Sequence, residues 1–245
     1  QWCQVPPYFI IAFQKPGEIY EPKNQQRILE LCRNNKFDLM AVRSSAGCED
    51  SSQASFAGMF KTVLGVRPSG IADAVVEVLE SVYNKRVADY CESQGIVQDS
   101  ISMAVIVQKM INSRVSGVCF TRLQNGSNHL LIEACYGLGE ALVSGEITPD
   151  AYIVNRDSLS IIKESIGYQK VMRRWDGEKL ALESMPFHKR NAKKLTYGQV
   201  GDVARTCLLI EERLGFCAAD IEWAFEGDML YVLQARPYTG FAEKC

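Results

Sequence analysis

The sequence is poor in histidine, with only His129 and His188. Neither has companions at metal-ligand or triad spacing, which argues against a histidine-based zinc centre and against Ser-His-Asp chemistry. Both read as structural or surface residues. Neither sign of charge is in excess: 27 Lys and Arg against 29 Asp and Glu leave a net charge of −2. The basic footprint expected of a nucleic-acid binder, or of a protein drawn to an anionic membrane, is therefore missing. No apolar run is long enough to span a bilayer. There is no internal repeat, no low-complexity tract and no Cys-x-x-Cys pair. The nine cysteines are scattered, and their odd number does not suit a closed disulfide framework. Cys119, Cys135 and Cys207 fall in apolar strands or helices and read as buried thiols of a reducing, cytoplasmic compartment. The start Gln1-Trp2-Cys3 has neither a methionine nor a signal peptide, so the chain reads as a piece of a longer or trimmed polypeptide.

What is present is an ordinary globular balance, 47% hydrophobic over 245 residues, enough to bury one large core or two lobes. Strands are predicted at Tyr8–Phe13, Leu39–Arg43, Met103–Gln108, Gly117–Thr121, His129–Ala134, Ala151–Asn155 and Leu159–Ile162. A short helix is predicted over Asn24–Arg33. Apolar residues at three- and four-residue spacing predict one long helix over Ile71–Tyr90. Thr196 and Gln199 form a capping box that opens a helix closed by Gly215. The segment from Arg173 to Lys194 resists assignment. Helices interspersed with hairpin-like strand pairs indicate an α+β chain rather than a doubly wound parallel sheet.

The most informative stretch is the terminal strand pair, Asp220–Phe225 and Met229–Arg236, around the turn signal Glu226-Gly227-Asp228. Strand side chains alternate, so Asp220 and Glu222 share one face and Gln234 and Arg236 share one face. A two-residue turn at Gly227-Asp228 would pair Ile221 with Gln234 and separate the two polar sets. A three-residue loop would pair Asp220 with Gln234 and unite them, and this is the expected form. Two carboxylates, an amide and a guanidinium would then converge, a set suited to Mg²⁺ carrying a polyphosphate. A solvated amphipathic hairpin is the plain alternative.

Other segments are weaker by themselves. Arg43-Ser44-Ser45 ends a strand and opens a loop running to Gly58 that is too polar and Ser/Gly-rich for packed core. It suits a phosphate grip, or an ordinary surface Arg before a loop. Gly137-x-Gly139 with Gly145 has neither dinucleotide-fingerprint nor Walker spacing, and could equally be a turn of close packing.

In combination these stretches resemble one family. They are Ala41–Ala46 with Glu49-Asp50 and Ala54–Gly58; Val105–Met110 with Ser116–Thr121; Ile132-Glu133-Ala134 through Gly137–Gly145 to Thr148-Pro149-Asp150; and Asp220–Ala224 with Leu233–Pro237. In this order, from about Val5 to Thr239, they resemble the ATP-binding domain of phosphoenolpyruvate synthase, pyruvate phosphate dikinase and the rifampin phosphotransferases. The resemblance implies a single ATP-grasp unit over residues 1–245, with lobes of about 1–100 and 101–240 enclosing ATP. It also implies magnesium, and attack on the β-phosphate that releases AMP and the γ-phosphate. By matching motif positions, Arg43 would contact phosphate, with Gly58 to Thr62 covering it. Gln108, Met110 and Ile111 would line the adenine, and Glu140 would contact the nucleotide. Glu222 and Gln234 would hold magnesium, Asp220 would support the site, and Arg236 would grip phosphate.

There are departures. Family members usually begin with a Gly-Gly-Lys segment whose lysine contacts phosphate, and this sequence starts downstream of it. Lys61 and Lys15 are the candidate replacements. The swivelling phosphohistidine domain and the pyruvate-binding barrel are also absent from the sequence. The expected role is therefore the phosphoryl-donating part of a phosphotransferase, serving a separate phosphohistidine domain or a small-molecule acceptor. The alternative is a non-catalytic nucleotide-binding module. Partners other than ATP and such an acceptor, nucleic acid and membrane in particular, are not expected.

Overall fold

A computed structural model of the chain describes residues 4–12, 16–47, 56, 58–143 and 145–238. Two compact units are present: Pro6–Met110, and Ile111–Cys245 together with Gln1–Val5. Every ladder between strands is antiparallel among the described residues, so the chain is α+β and not doubly wound.

The Pro6–Met110 unit contains β1 (Tyr8–Ile11), α1 (Pro22–Asn34), β2 (Met40–Ala46), β3 (Thr62–Val66), α2 (Ile71–Glu80), α3 (Lys85–Gln94) and β4 (Met103–Lys109). Its sheet has the order β1-β4-β2-β3. Strand alternation sends Ile11, Met40, Val42, Val105 and Val107 to one face, where they form a core with Ile28 and Cys32 of α1 and Val75 and Val78 of α2. The periodic run from Ile71 is two helices rather than one. Asn84 takes an extended backbone, and its side chain accepts the Val87 amide at 2.8 Å, capping α3. An Asn that bonds the following turn competes with helix continuation, and apolar spacing alone does not register that competition.

The connection after Arg43 begins later than expected. β2 runs on to Ala46, and Thr62 opens β3. Phe56 is fully buried, stacked on Phe60 and edge-on to Tyr90 at 4.9 Å, so an aromatic anchor lies in a stretch that reads as too polar for core. Glu49, Asp50, Lys15 and Ala57 lie outside the described residues.

The second unit contains β5 (Val115–Phe120), β6 (His129–Tyr136), α4 (Glu140–Val143), β7 (Asp150–Asn155), β8 (Ile161–Ser165), β9 (Val171–Trp175), β10 (Leu180–Ser184), α5 (Tyr197–Leu214), β11 (Ala219–Glu226) and β12 (Met229–Pro237). Six strands form one sheet, β12-β11-β5-β6-β7-β8, and the unassigned polar region contributes the two-stranded β9-β10 ribbon. α5 opens on the predicted capping box, ends at Gly215, and lays Val200, Val203, Ala204 and Cys207 on Ile132, Tyr152, Ile221 and Trp223. Trp223 fits because its cross-strand partner on β5 is Gly117. A Cβ at Gly117 would sit 1.8 Å from the Glu133 carbonyl oxygen and 2.6 Å from the Trp223 ring.

A buried ion pair ties three segments of this unit together. Lys194 Nζ lies 2.7 Å from Asp150 Oδ1, with both side chains fully inaccessible. Asp150 also accepts from the Gly167 amide (2.9 Å), the Tyr152 hydroxyl (3.0 Å) and the Lys194 amide (2.9 Å), while Lys194 Nζ donates to the Gly167 carbonyl (2.6 Å). Charges this deep need such full satisfaction.

Cys32, Cys91, Cys119, Cys135 and Cys207 are free and buried, as expected. Burial raises the Cys135 thiol to about 11, which keeps it protonated and inert. Among the described residues no helix is long and apolar enough to cross a membrane.

Candidate functional site

The terminal hairpin departs from both registers considered for it. Glu226 pairs with Met229 across the two-residue turn, which alone would set Ile221 against Gln234. A bulge between Glu222 and Trp223 then shifts the register, so that Glu222 pairs with Gln234 and Asp220 with Arg236. The extra residue, Leu233, restores the common polar face. The turn end is fixed by packing: Trp223, Phe225, Leu230 and Val232 all belong to the α5-side core. The bulge satisfies that demand and the polar face together.

Asp220 is largely buried and holds Arg236 through a single carboxylate oxygen, Oδ2, which accepts from Nε at 2.9 Å and Nη2 at 2.6 Å. This fixes the guanidinium plane. Glu222 and Gln234 are half-buried and directly opposed, so a carboxylate and an amide share one spot. These are hard oxygen donors, right in kind for Mg²⁺, which needs only one or two protein ligands when phosphate oxygens complete its shell. No cluster of three or more potential metal-ligating side chains occurs among the described residues, so a protein-only cage is not what this face offers.

The sheet extends the same face. Val118 of β5 lies opposite Glu222, and Glu133 of β6 lies opposite Val118. Gln234, Glu222, Val118 and Glu133 thus form one row across four strands. The row beside it holds Arg236, Asp220, Phe120 and Leu131. Glu133 makes no side-chain hydrogen bond or ion pair with described residues, and burial pushes its carboxyl above the ordinary value. Glu133 lies in the Ile132-Glu133-Ala134 stretch, which by itself gives the residue no role. Its place in the row of Glu222, two strands away, is set by the strand order.

The Gly-rich segment folds over this face one row further along. Ser116 Oγ donates to the Gly137 carbonyl at 2.6 Å, and a Cβ at Gly139 would stand 3.5 Å from that hydroxyl. Gly137 (φ 81°) lies against β9, where a Cβ would meet the Arg173 carbonyl oxygen at 2.3 Å, so its glycine serves close packing. Glu140 opens α4 and is exposed, with Arg173 3.7 Å away and also bonded to Glu146.

The other predicted residues lie in the Pro6–Met110 unit, apart from Ile111. Arg43 is half-buried on β2, directly opposite Thr62 on one side and Ile106 on the other, so Arg43 and Thr62 are brought together. Gly58 is exposed in the turn before β3. Gln108 is buried on β4, opposite Ala41 and Tyr8. The Met110 amide is taken by the Leu39 carbonyl and its sulfur accepts the Gly65 amide, while the buried Ile111 gives its carbonyl to the Ser113 amide. Lys61 is ion-paired with Glu77 of α2. A cleft of about 440 Å³ at the start of α5, walled by Arg114, Lys193, Tyr197, Gln199 and Asp228 among others, contains none of the predicted residues.

An antiparallel α+β chain thus sets a carboxylate, an amide and an aspartate-held guanidinium on one sheet face. Comparison with known proteins makes this specific. The family described as pyruvate phosphate dikinase, AMP/ATP-binding domain, matches residues 14–244, and the chain belongs to that family. It is 39% identical over 203 residues to a probable phosphoenolpyruvate synthase of Archaeoglobus fulgidus, covering 82% of this chain and 27% of that protein. It is 37% identical over 249 residues to the phosphoenolpyruvate synthase of Pyrococcus furiosus, covering 96% of this chain and 30% of that one. The chain thus spans less than a third of the length of these relatives. Among solved structures, a dinucleotide-forming acetyl-coenzyme A synthetase of Ca. Korarchaeum cryptofilum aligns over 95% of this chain and 85% of its own, at 12% identity and a TM-score of 0.49. Family membership makes this an ATP-binding domain of the kind that serves ATP-dependent phosphotransfer.

Proposed function

We propose that this chain is the phosphoryl-donating part of an ATP-dependent phosphotransferase of the phosphoenolpyruvate synthase and dikinase type. It passes a phosphoryl group from ATP, with AMP and phosphate as by-products, to a histidine on a separate domain or to a small-molecule acceptor. The observation that carries this reading is the bulged hairpin, which opposes Glu222 to Gln234 and Asp220 to Arg236 on one face. Glu222 and Gln234 would hold Mg²⁺. The ion would neutralise phosphate charge, and that is the chemistry it supplies. Arg236, aimed by Asp220, would take up charge on the transferring group, and Arg43 would contact phosphate, with Gly58 to Thr62 covering it. Gln108, Met110 and Ile111 would line the base, with Glu140 a further nucleotide contact. Phosphoryl transfer is largely positioning and electrostatic stabilisation, which these side chains can provide without a nucleophile of their own.

Titration calorimetry with ATP, with and without Mg²⁺, tests the reading, followed by analysis of the nucleotide after incubation. Magnesium-dependent binding with slow AMP release is expected. Glu222→Ala should abolish the magnesium-dependent part of the affinity, and unchanged affinity would remove the metal assignment. One observation favours a second reading, a non-catalytic nucleotide-binding module. Lys61, a candidate for the phosphate-contacting lysine, is held by Glu77. Binding without AMP release, even with an acceptor supplied, would support that reading.

A further inference from the structure

We propose that Gln169 is a positioning residue for the Gly-rich segment and, through it, for Glu140. This rests on the functional reading above, which makes Glu140 a nucleotide contact, and adds the residue that aims it. The need for such a residue comes from the sheet. β6 runs to Tyr136, but its ladder with β7 stops at Ala134, opposite Asp150. Tyr136 therefore passes the end of β7 with a strand partner, Val115, on one side only. Gln169 is completely buried and supplies the other side. Its Oε1 accepts the Tyr136 amide at 2.9 Å, and its Nε2 donates to the carbonyls of Tyr136 (3.0 Å) and Val171 (2.9 Å). A primary amide offers in one plane the acceptor and the two donors used here, so one side chain stands in for a strand. The Gln169 backbone is held in turn, its amide donating to the Arg190 carbonyl at 2.9 Å.

Beyond Tyr136 the chain is tied residue by residue. The Gly137 amide donates to the Arg114 carbonyl at 3.0 Å, and the Gly137 carbonyl accepts from the hydroxyls of Ser113 (2.8 Å) and Ser116 (2.6 Å). The Leu138 amide donates to the Arg173 carbonyl at 2.8 Å. Glu140 follows two residues later, exposed, with the Arg173 guanidinium 3.7 Å away. Glycines at 137 and 139 give this stretch little conformational preference of its own, so its tethers set its path. Gln169 fixes the root of the stretch. It also bonds Val171, the first residue of β9, and so registers the strand that leads to Glu140 against the strand that carries Arg173. Without the amide, the Tyr136 and Val171 groups lose their partner, and the root is free to shift to find others.

The test is a double-mutant cycle on the binding of ATP with Mg²⁺, by calorimetry at a temperature where melts show every variant folded. Glu140→Ala and Gln169→Met should each weaken ATP about tenfold, the loss of a hydrogen bond to a charged group. Because Gln169 acts by aiming Glu140, the double variant should also lose about tenfold, where independent sites would lose about a hundredfold. Gln169→Met with Arg43→Ala is the control cycle, and there the losses should multiply. A merely structural role for Gln169 would give multiplying losses in both cycles. Gln169→Glu is the milder variant should Gln169→Met not fold. Its carboxyl, kept protonated by burial among carbonyls, retains the acceptor and one donor, and it should show a smaller loss with the same coupling. Unchanged ATP affinity in a folded Gln169→Met or a Glu140→Ala variant, or losses that multiply in the Glu140 cycle, would overturn the inference. A wild type that binds no ATP would overturn the functional reading and the inference with it, an outcome distinct from binding without coupling.

Discussion

Replacing Asp150 with Ala should be among the most damaging single changes available outside the candidate site. It leaves the Lys194 ammonium fully buried beside one remaining acceptor, the Gly167 carbonyl. It also removes the acceptor from the Gly167 amide, the Tyr152 hydroxyl and the Lys194 amide. Breaking a buried pair by deleting one partner costs about 3–5 kcal/mol. The three lost hydrogen bonds fall within that figure rather than adding to it, because they belong to one network. A loss of about 4 kcal/mol is a large part of the total stability of about 5–15 kcal/mol usual for a folded domain. It should lower the melting temperature by roughly 8–16 °C at the 2–4 °C per kcal/mol usual for domains of this size. Urea unfolding followed by tryptophan fluorescence measures it, since Trp223 is buried in the same unit. The double change Asp150→Leu with Lys194→Met replaces both charges by apolar volume and should recover most of the loss. A cost below about 1 kcal/mol for Asp150→Ala would refute the reasoning, since it would mean that Lys194 reaches water or sheds its proton with little penalty.

Gly117→Ala should destabilise the same unit by about 3 kcal/mol or prevent folding, because both the Glu133 backbone and the Trp223 ring would have to shift; a melt within a degree or two of wild type would contradict this. Glu133→Gln should stabilise the ligand-free protein near pH 7. The folded-state carboxyl of Glu133 is raised, so ionising it disfavours the folded form, a penalty absent below the unfolded value of about 4.3, growing as pH rises through the folded value and complete above it. Melting temperatures at pH 7 and pH 4 check this, and an advantage present only at the acid end would reverse the sign.

Much of the architecture was legible in the residues. The capping box at Thr196 and Gln199 is a local hydrogen-bond exchange, so a four-residue span suffices to announce it. The strand alternation of Asp220 with Glu222 and of Gln234 with Arg236 needs only the extended backbone. The Gly-rich turn and the Arg43-Ser44-Ser45 stretch were visible as segments, although β2 carries on past Arg43 to Ala46, and their order along the chain carried the family resemblance.

Local pattern failed where a distant partner decided the outcome. At the split between α2 and α3 the Asn84 side chain caps the turn ahead of it and also donates to the Met59 carbonyl 25 residues back in the chain. Phe56 is core because Phe60 and Tyr90 surround it, although its sequence neighbours are polar.

The terminal hairpin shows the division most clearly. The sequence by itself determined that this protein carries two carboxylates, an amide and an arginine on two strands, each pair on one face of its strand. It could not determine that the faces coincide, because the short turn taken alone would have opposed them. The pull of Trp223, Phe225 and Leu230 into the α5-side core set the turn, and a one-residue bulge at Leu233 realigned the polar residues beyond it. Only the tertiary structure could balance those demands. A one-residue shift reverses every side chain beyond it, and the face that wins is the one whose apolar partners lie elsewhere in the chain.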